Sequence, residues 1–325
     1  MDNKNALLNR SYTDLIKFLA CILIFASHYY INNAYEIVRS FGPIGCVLFF
    51  FLSAYGIVKS QENKHLSLLP FAKRRLLKVW MPLIVVNFTF VFLACFHKMD
   101  LVIIHFPVIG SISYVNGSLL DFIFAILDFV KIDPVTWFLH ELIIAYLFIW
   151  LLMNISNKRL RMMASIILYL LVEFVFYKFV YSQVLKIDTV GLVLGFIYAN
   201  YEGLINTYVR KYYKVLVSLS VAIFALSLYL SYAIEPYLTN YFFILDLFAI
   251  IYSSSFAVAV IILEKTFAIK RYALIGYLGG LSYYVYLIHM KMIDLTDRID
   301  VFLCLFLILV VSALFFEVDK KLIRL

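Results

Sequence analysis

The pattern of apolar positions along the chain is a series of runs long enough to cross a bilayer, separated by short polar segments. A hydrocarbon core of about 30 Å requires about 20 apolar residues per helix. The pattern therefore predicts an all-α polytopic membrane protein of about ten transmembrane helices, with a single membrane domain over residues 1–325. The predicted spans cover residues 12–31, 41–59, 79–96, 137–154, 162–180, 187–203, 213–233, 242–263, 273–290 and 300–317.

One further apolar stretch, residues 99–130, is interrupted by Pro107, Gly110, Gly117 and two aspartates. Proline and glycine interrupt regular helices, and aspartate is costly in hydrocarbon. We interpret this stretch as a re-entrant or interfacial segment and do not count it as a span.

Composition and charge agree with a membrane location. Hydrophobic residues make up 65% of the chain and charged residues 15%, whereas a soluble protein has about half and about a quarter. The net charge of +8 lies in short basic clusters between the spans, which indicates membrane topology rather than a nucleic-acid partner. An N-in, C-in orientation gives the cytoplasmic segments 20 of the 28 Lys and Arg residues and the outer segments seven. The prediction is a multi-pass cell-membrane protein surrounded by lipids.

The cysteines and the N-terminus add little chemistry. The four cysteines all lie in apolar stretches without metal-ligand spacing, so we expect buried packing residues and no metal. The first apolar run begins near Tyr12 and contains charged residues, which predicts a retained helix and not a cleaved signal peptide.

The first span contains three ionisable residues, Asp14, Lys17 and His28. At about 100° per residue the three share one stripe of the helix, with Lys17 and His28 about 16 Å apart along its axis. Ionisable groups within a membrane are functional candidates, so this stripe would hold two ends of one long ligand. Two alternatives remain: Asp14 and Lys17 pair near the cytoplasmic end, and His28 is a hydrogen-bonded structural histidine.

Two further ionisable residues are predicted at the depth of His28. His289 lies near the outer end of the ninth span and Glu141 near the outer start of the fourth, whereas His140 points elsewhere on that helix. Two histidines and a carboxylate at one depth form an acid–base site if helix packing brings them together.

The densest basic cluster lies between residues 71 and 82. Arg75 and Lys78, three residues apart, share one helix face. The cluster either sets topology and binds lipid headgroups, or it binds an anionic ligand such as a nucleotide phosphate.

Five motifs, in order along the chain, resemble those of the acyltransferase 3 family of integral-membrane acyltransferases. They are Lys17 with His28; Phe49–Ser53 followed by Ala54; Arg75 and Lys78 followed by Pro82; Trp137–Leu139 with Tyr146; and Ser282, Tyr286, Leu287 and His289. The family usually has Gly at position 54 and Arg at position 78, and Lys at position 78 loses bidentate phosphate geometry but keeps the charge.

The resemblance implies transfer of an acyl group, usually acetyl from acetyl-CoA, to a hydroxyl of an extracytoplasmic sugar. It implies a bacterial O-acetylation enzyme of polysaccharide biosynthesis, whose acceptor is a surface glycan or its lipid-linked precursor. We predict that Lys17, Arg75, Lys78 and Asp14 bind the donor. His28 would be the base, with Glu141 and His289 as further catalytic residues.

Two points of function stay open in the sequence. We identify no appended soluble acyltransferase domain within residues 1–325, so a separate acyl-accepting partner protein is one expectation. The alternative function is a transporter or flippase of a polysaccharide precursor, since ten helices with buried charge also describe transport. A glycan polymerase is disfavoured, because long outer loops with arginines would be expected. The absence of an internal repeat counts mildly against a transporter.

Overall fold

The structure is a computed structural model that describes residues 8–30, 36–97, 101–105, 108–112, 118–129, 132–179, 187–237, 242–264, 272–296 and 299–323. The helices are α1 (Arg10–Tyr29), α2 (Glu36–Arg39), α3 (Phe41–Asn63), α4 (Leu68–Phe96), α5 (Leu119–Ile126), α6 (Trp137–Met153), α7 (Lys158–Phe179), α8 (Val190–Ile234), α9 (Phe242–Leu263), α10 (Ala273–Leu295) and α11 (Val301–Ile323). Strands β1 (Leu101–His105) and β2 (Val108–Ile112) form an antiparallel hairpin. Apart from this hairpin and two 3₁₀ turns, the regular structure of the described ranges is helical, as predicted.

Seven helices in the described part of the chain are long and apolar enough to cross a membrane. Six of them are α1, α4, α8, α9, α10 and α11, and the seventh is formed by α3 and most of α2. Helix α6 is also apolar but is shorter. Each predicted span falls on one of the helices α1, α3, α4 and α6 to α11. Ten predicted spans correspond to these nine helices, because the spans 187–203 and 213–233 share α8. The total of ten spans and the N-in, C-in orientation stay predictions.

The contacts divide the chain into two compact units. The first unit comprises Met1–His65 and Ala145–Ser282, and the second comprises Leu66–Ile144 and Tyr283–Leu325. Helices α6 and α10 begin in one unit and end in the other.

In the first unit, helix α8 is 45 residues long and leaves helical backbone geometry at Tyr201 and Tyr212. At 1.5 Å per residue it would measure about 68 Å if it were straight, more than twice the hydrocarbon thickness. Its first part runs parallel to α3, and its last part runs antiparallel to α9. The contacts that show these directions are Gly191 with Val47, Gly195 with Phe51, Val209 with Ile262 and Phe224 with Phe256.

Helices α3 and α9 both run opposite to α1, so the two parts of α8 run in opposite directions. For α3 the contacts are Ala20 with Gly45 and Ser27 with Gly42; for α9 they are Tyr12 with Val260 and Asn9 with Glu264. Reversal at the two kinks is the arrangement expected of the separate spans 187–203 and 213–233.

Close backbone approach at glycines holds the first unit together. A Cβ added at Gly45 would lie 2.7 Å from the carbonyl oxygen of Ala20, and one at Gly195 would lie 2.2 Å from that of Phe51. Small residues at helix contacts are the usual means of tight packing in membranes, where apolar area gives little driving force between helices. Around these contacts lies a buried core that includes Ile16, Val47 and Tyr198.

A polar network surrounds the first kink of α8. Lys59 of α3 forms an ion pair with Glu202 at 2.9 Å, and the hydroxyl of Tyr55 donates to the same carboxylate at 3.0 Å. The buried guanidinium of Arg161 donates to the side-chain oxygen of Asn200 at 2.9 Å and to the carbonyl of Ile155. These contacts satisfy polar groups next to the backbone that departs from helical geometry.

We predict that Gly195→Ala lowers the free energy of unfolding of the purified protein in detergent by about 1–3 kcal/mol, because the methyl group overpacks α8 against the α3 backbone. Thermal unfolding followed by circular dichroism measures the effect. The matched control is Gly203→Ala in the same helix, where an added Cβ meets nothing within 4 Å. It should leave stability unchanged or raise it by up to about 1 kcal/mol. Equal destabilisation by both substitutions would contradict the close-approach account.

Candidate active site

The charged pair of the first helix lies in the first unit. Asn9 caps α1 by accepting from the backbone N–H of Tyr12 at 2.8 Å. One turn later the ammonium of Lys17 lies 2.9 Å from a carboxylate oxygen of Asp14, with 38% of the Lys17 side chain exposed and 11% of the Asp14 side chain. The pairing of these two residues, the alternative considered from the sequence, is therefore present.

Helix α10 fixes the backbone beside this pair. A Cβ at Gly279 would lie 2.3 Å from the Cβ of Asp14, so a residue with any side chain would displace the Asp14 region. Three residues further along α10, the carbonyl of Ser282 accepts from the thiol of Cys21 at 2.8 Å. The glycine and the carbonyl thus hold the Asp14–Lys17 face of α1 against α10.

His28 lies in the last turn of α1 and is half-buried. Its neighbours Ser27 and Tyr29 are buried, and the Ser27 hydroxyl donates to the backbone carbonyl of Arg39 at 3.2 Å. Helical geometry separates His28 from Lys17 by about 16 Å along the axis. The expectation that the two residues hold opposite ends of one ligand stays a prediction.

The basic cluster forms the first half of α4 in the second unit. Arg75 is half-buried, with its guanidinium 5.6 Å from the ring centroid of Phe71, whereas Lys73, Arg74 and Lys78 are exposed. Arg75 therefore has a fixed orientation over an aromatic ring. The three exposed cations leave positive charge accessible to an anion.

The chain before α6 runs back along the middle of α4. Helix α5 begins with a capping box between Ser118 and Asp121 and packs on α4. The contacts, in order along α4, are Val91 with Ala125, Asn87 with Asp128 and Trp80 with His140. From residue 91 to residue 87 the axial distance is about 6 Å, so the end of the stretch 99–130 lies alongside about one turn of α4. The interpretation of this stretch as a re-entrant or interfacial segment stays a prediction.

Asp128 is the buried centre of one polar cluster in this segment. Its φ of +60° lies in the left-handed region, which aspartate adopts more readily than most residues. One carboxylate oxygen accepts from Asn87 at 3.4 Å and from the Thr136 hydroxyl at 3.2 Å. The Nε2 atom of His140 lies 3.7 Å from the other oxygen. His140, which the sequence reasoning set aside, is therefore directed towards this carboxylate.

A second polar cluster links the same segment to α10. The ammonium of Lys291 lies 2.8 Å from Asp133, with 5% of the lysine side chain and none of the aspartate side chain exposed. Burial alone would raise the pKa of the Asp133 carboxyl, but the charges of Lys291 and His289 and the N–H of Val135 hold it below its usual value. The predicted span 273–290 ends just before Lys291 and leaves this lysine in an outer segment. It is instead buried within a helix.

His289 is buried in α10, next to this ion pair. Its Nδ1 atom lies 2.7 Å from the carbonyl oxygen of Tyr286. A carbonyl can only accept a hydrogen bond, so Nδ1 carries the proton and, in the neutral imidazole, Nε2 carries the lone pair. The Tyr286 hydroxyl in turn donates to the carbonyl of Val135. One turn into α6, both carboxylate oxygens of Glu141 are buried.

The structure brings together only some of the predicted site residues. Asp14 and Lys17 are in contact, whereas His28 belongs to the first unit and Glu141 and His289 belong to the second. The convergence of these three residues stays a prediction. The residues that the sequence reasoning missed are Asp128, Asp133, His140 and Lys291. One available signal was the Asp133-Pro134 pair, because aspartate followed by proline is typical of a helix start.

The comparison with protein families identifies the chain. An acyltransferase-domain family model, acyltransferase 3, matches residues 10–318, which is nearly the whole chain. The chain therefore belongs to the acyltransferase 3 family. Neither curated proteins nor solved structures give a match. Within the described residues, no group of three or more His, Cys, Asp or Glu side chains could hold a metal ion.

We predict that Asp133→Asn lowers the free energy of unfolding by about 3–5 kcal/mol at neutral pH, since it leaves the Lys291 ammonium buried without its counter-charge. The folded-state pKa of Asp133 lies below its ordinary value. Its contribution is therefore fully present above the unfolded pKa of about 3.9 and is lost as the pH falls through the folded value. The difference between wild type and variant should be constant from about pH 7 to 5 and should shrink below about pH 4.

Urea or thermal unfolding in detergent across this pH range measures the difference. The control is Glu317→Gln, which breaks an ion pair with Lys320 whose side chains are 48% and 34% exposed. Such an exposed pair contributes at most about 1 kcal/mol. If Asp133→Asn were no more destabilising than the control at neutral pH, the buried pair would not have the energetic role assigned to it.

Proposed function

We propose that the protein transfers an acetyl or other short acyl group from acyl-CoA to a hydroxyl of a cell-surface glycan or of its lipid-linked precursor. The observation that carries the proposal is the match of the acyltransferase family model to residues 10–318. The candidate membrane spans support a multi-pass membrane enzyme, and we place it in the cell membrane. The donor is acetyl-CoA or a related thioester, and no metal takes part.

The donor's charged end is assigned to the basic half of α4. The phosphates of CoA carry several negative charges, and Lys73, Arg74 and Lys78 are exposed on one segment of this helix. Arg75, held over the Phe71 ring, supplies a planar donor group. The Asp14–Lys17 pair on α1 is assigned to the polar part of the pantetheine arm, because both side chains carry hydrogen-bonding atoms next to the apolar run of residues 18–26.

The chemical step is attack of a sugar hydroxyl on the thioester carbonyl. His28 accepts the hydroxyl proton as the new carbon–oxygen bond forms, and the carbon–sulfur bond then breaks. The proton passes to the departing thiolate, so that one ester and one CoA thiol are produced. His289, whose neutral form has its lone pair on Nε2, and Glu141 are assigned to orienting the acceptor and the imidazole. A separate acyl-accepting partner protein is the alternative acceptor.

The test compares surface-glycan O-acetylation in cells carrying the wild type or His28→Ala at equal membrane levels. Removal of a general base costs about 10²–10⁴-fold in rate, so ester-linked acetyl should fall to background while the amount of glycan stays normal. The matched control is His65→Ala, because His65 is an exposed histidine between α3 and α4. Loss of the glycan itself would favour a transporter or flippase. Full acetylation in His28→Ala would remove this residue from the transfer step.

A further inference from the structure

The ion pair Asp133–Lys291 is unusual for its burial. Both side chains are almost fully buried, and the lysine also donates to the backbone carbonyl of Leu287 at 3.1 Å. The ammonium lies 5.9 Å from the ring centroid of Phe90 on α4. Removing two charges from water costs about as much as their attraction returns, so hydrophobic residues of the same volume would stabilise the fold equally well. Stability alone therefore does not explain the pair.

The pair is part of a closed ring of contacts that begins and ends on α10. Lys291 binds one carboxylate oxygen of Asp133, and the other oxygen accepts from the backbone N–H of Val135 at 3.0 Å. The carbonyl of Val135 accepts from the Tyr286 hydroxyl, and the carbonyl of Tyr286 accepts from Nδ1 of His289. The ring fixes the backbone that precedes α6 to the helix turn that carries the imidazole.

The charges of Asp133 and Lys291 have opposite effects on the protonation of His289. Asp133 is near enough for its carboxylate to interact with the imidazole, and Lys291 is two residues further along the same helix. A carboxylate favours the imidazolium form and an ammonium disfavours it. Tyr286 is a further titratable group beside the His289 imidazole, with the centroids of the two aromatic rings 5.7 Å apart.

We propose that Asp133 and Lys291 are positioning residues for acyl transfer, which hold the His289 imidazole in its Nδ1–H tautomer and balance the charge beside it. The inference rests on the proposed function, in which His289 takes part in transfer. It assigns a role to two residues that belong to none of the sequence motifs. Neither residue is required to touch the substrates.

The experiment measures the pH dependence of acyl transfer by the full chain in lipid vesicles, with acetyl-CoA as donor. Because His289 orients the acceptor in its neutral form, its protonation contributes to the acid limb of the profile. Asp133→Asn leaves the ammonium beside His289, so this limb should move to lower pH by about one unit. Lys291→Met leaves the carboxylate, so the limb should move to higher pH by a similar amount. Shifts in opposite directions are not expected from loss of folding or of packing.

The double variant Asp133→Asn/Lys291→Met keeps the test decisive if the single variants fail to fold, because it removes both charges together. Its acid limb should stay at the wild-type position. Its kcat should fall roughly 10- to 100-fold, because the ring that positions the imidazole is broken, while KM for acetyl-CoA changes little. Wild-type kcat in the double variant, or single variants with unshifted or equally shifted limbs, would overturn the proposal.

The matched control is Lys59→Met/Glu202→Gln, which removes a partly buried ion pair, 2.9 Å long, in the first unit. This control should keep the wild-type pH profile and kcat. The two proposals fail in different ways. If the wild type transfers no acyl group, the proposed function is wrong. If the wild type and the control transfer normally and the profiles do not separate, only the positioning role is wrong.

Discussion

The need to give buried charged side chains a protein partner shapes this molecule. In apolar surroundings an ionised side chain is costly unless another group neutralises it and its hydrogen bonds are made. The buried Lys291 meets this requirement with the Asp133 carboxylate, whereas the hydrogen bonds of the Arg161 guanidinium are made by Asn200 and a backbone carbonyl. The Lys291–Asp133 pair and the Arg161–Asn200 hydrogen bond each link chain segments that are distant in sequence, so these polar groups help to determine which segments lie together.

Close contact between helix backbones is the second determinant of the structure. It brings buried polar groups within hydrogen-bonding distance of their partners. Glycines let α1, α3 and α8 approach until an added methyl group would overlap a carbonyl oxygen, and Gly279 brings α10 to the same distance from Asp14. Hydrogen bonds between side chains and backbone then become possible, such as that from Cys21 to the carbonyl of Ser282. Apolar area alone gives little preference for one helix partner over another within lipid. Packing at small residues and satisfaction of polar groups supply that preference.

The sequence predicted the helices well because the length of an apolar run is a local property. The Asp14–Lys17 pair could also be anticipated, since its members are one turn apart on the same helix. The partners of Asp128, Asp133 and Lys291 could not, because they depend on a segment that folds back along α4. The count of charges between spans treated Lys291 as a loop residue, as no rule of composition distinguishes a buried lysine from a topogenic one. Family membership, in contrast, is shown by a family-model match that covers residues 10–318.

Acyl transfer by the isolated chain is the central claim, and one reconstitution tests it directly. The purified protein in lipid vesicles is given acetyl-CoA labelled in the acetyl group together with an oligosaccharide acceptor, and free CoA thiol and acceptor-bound label are both measured. The account predicts one thiol released for each alkali-labile acetyl ester formed on the acceptor. Label that remains on CoA while a lipid-linked glycan crosses the vesicle membrane would contradict it.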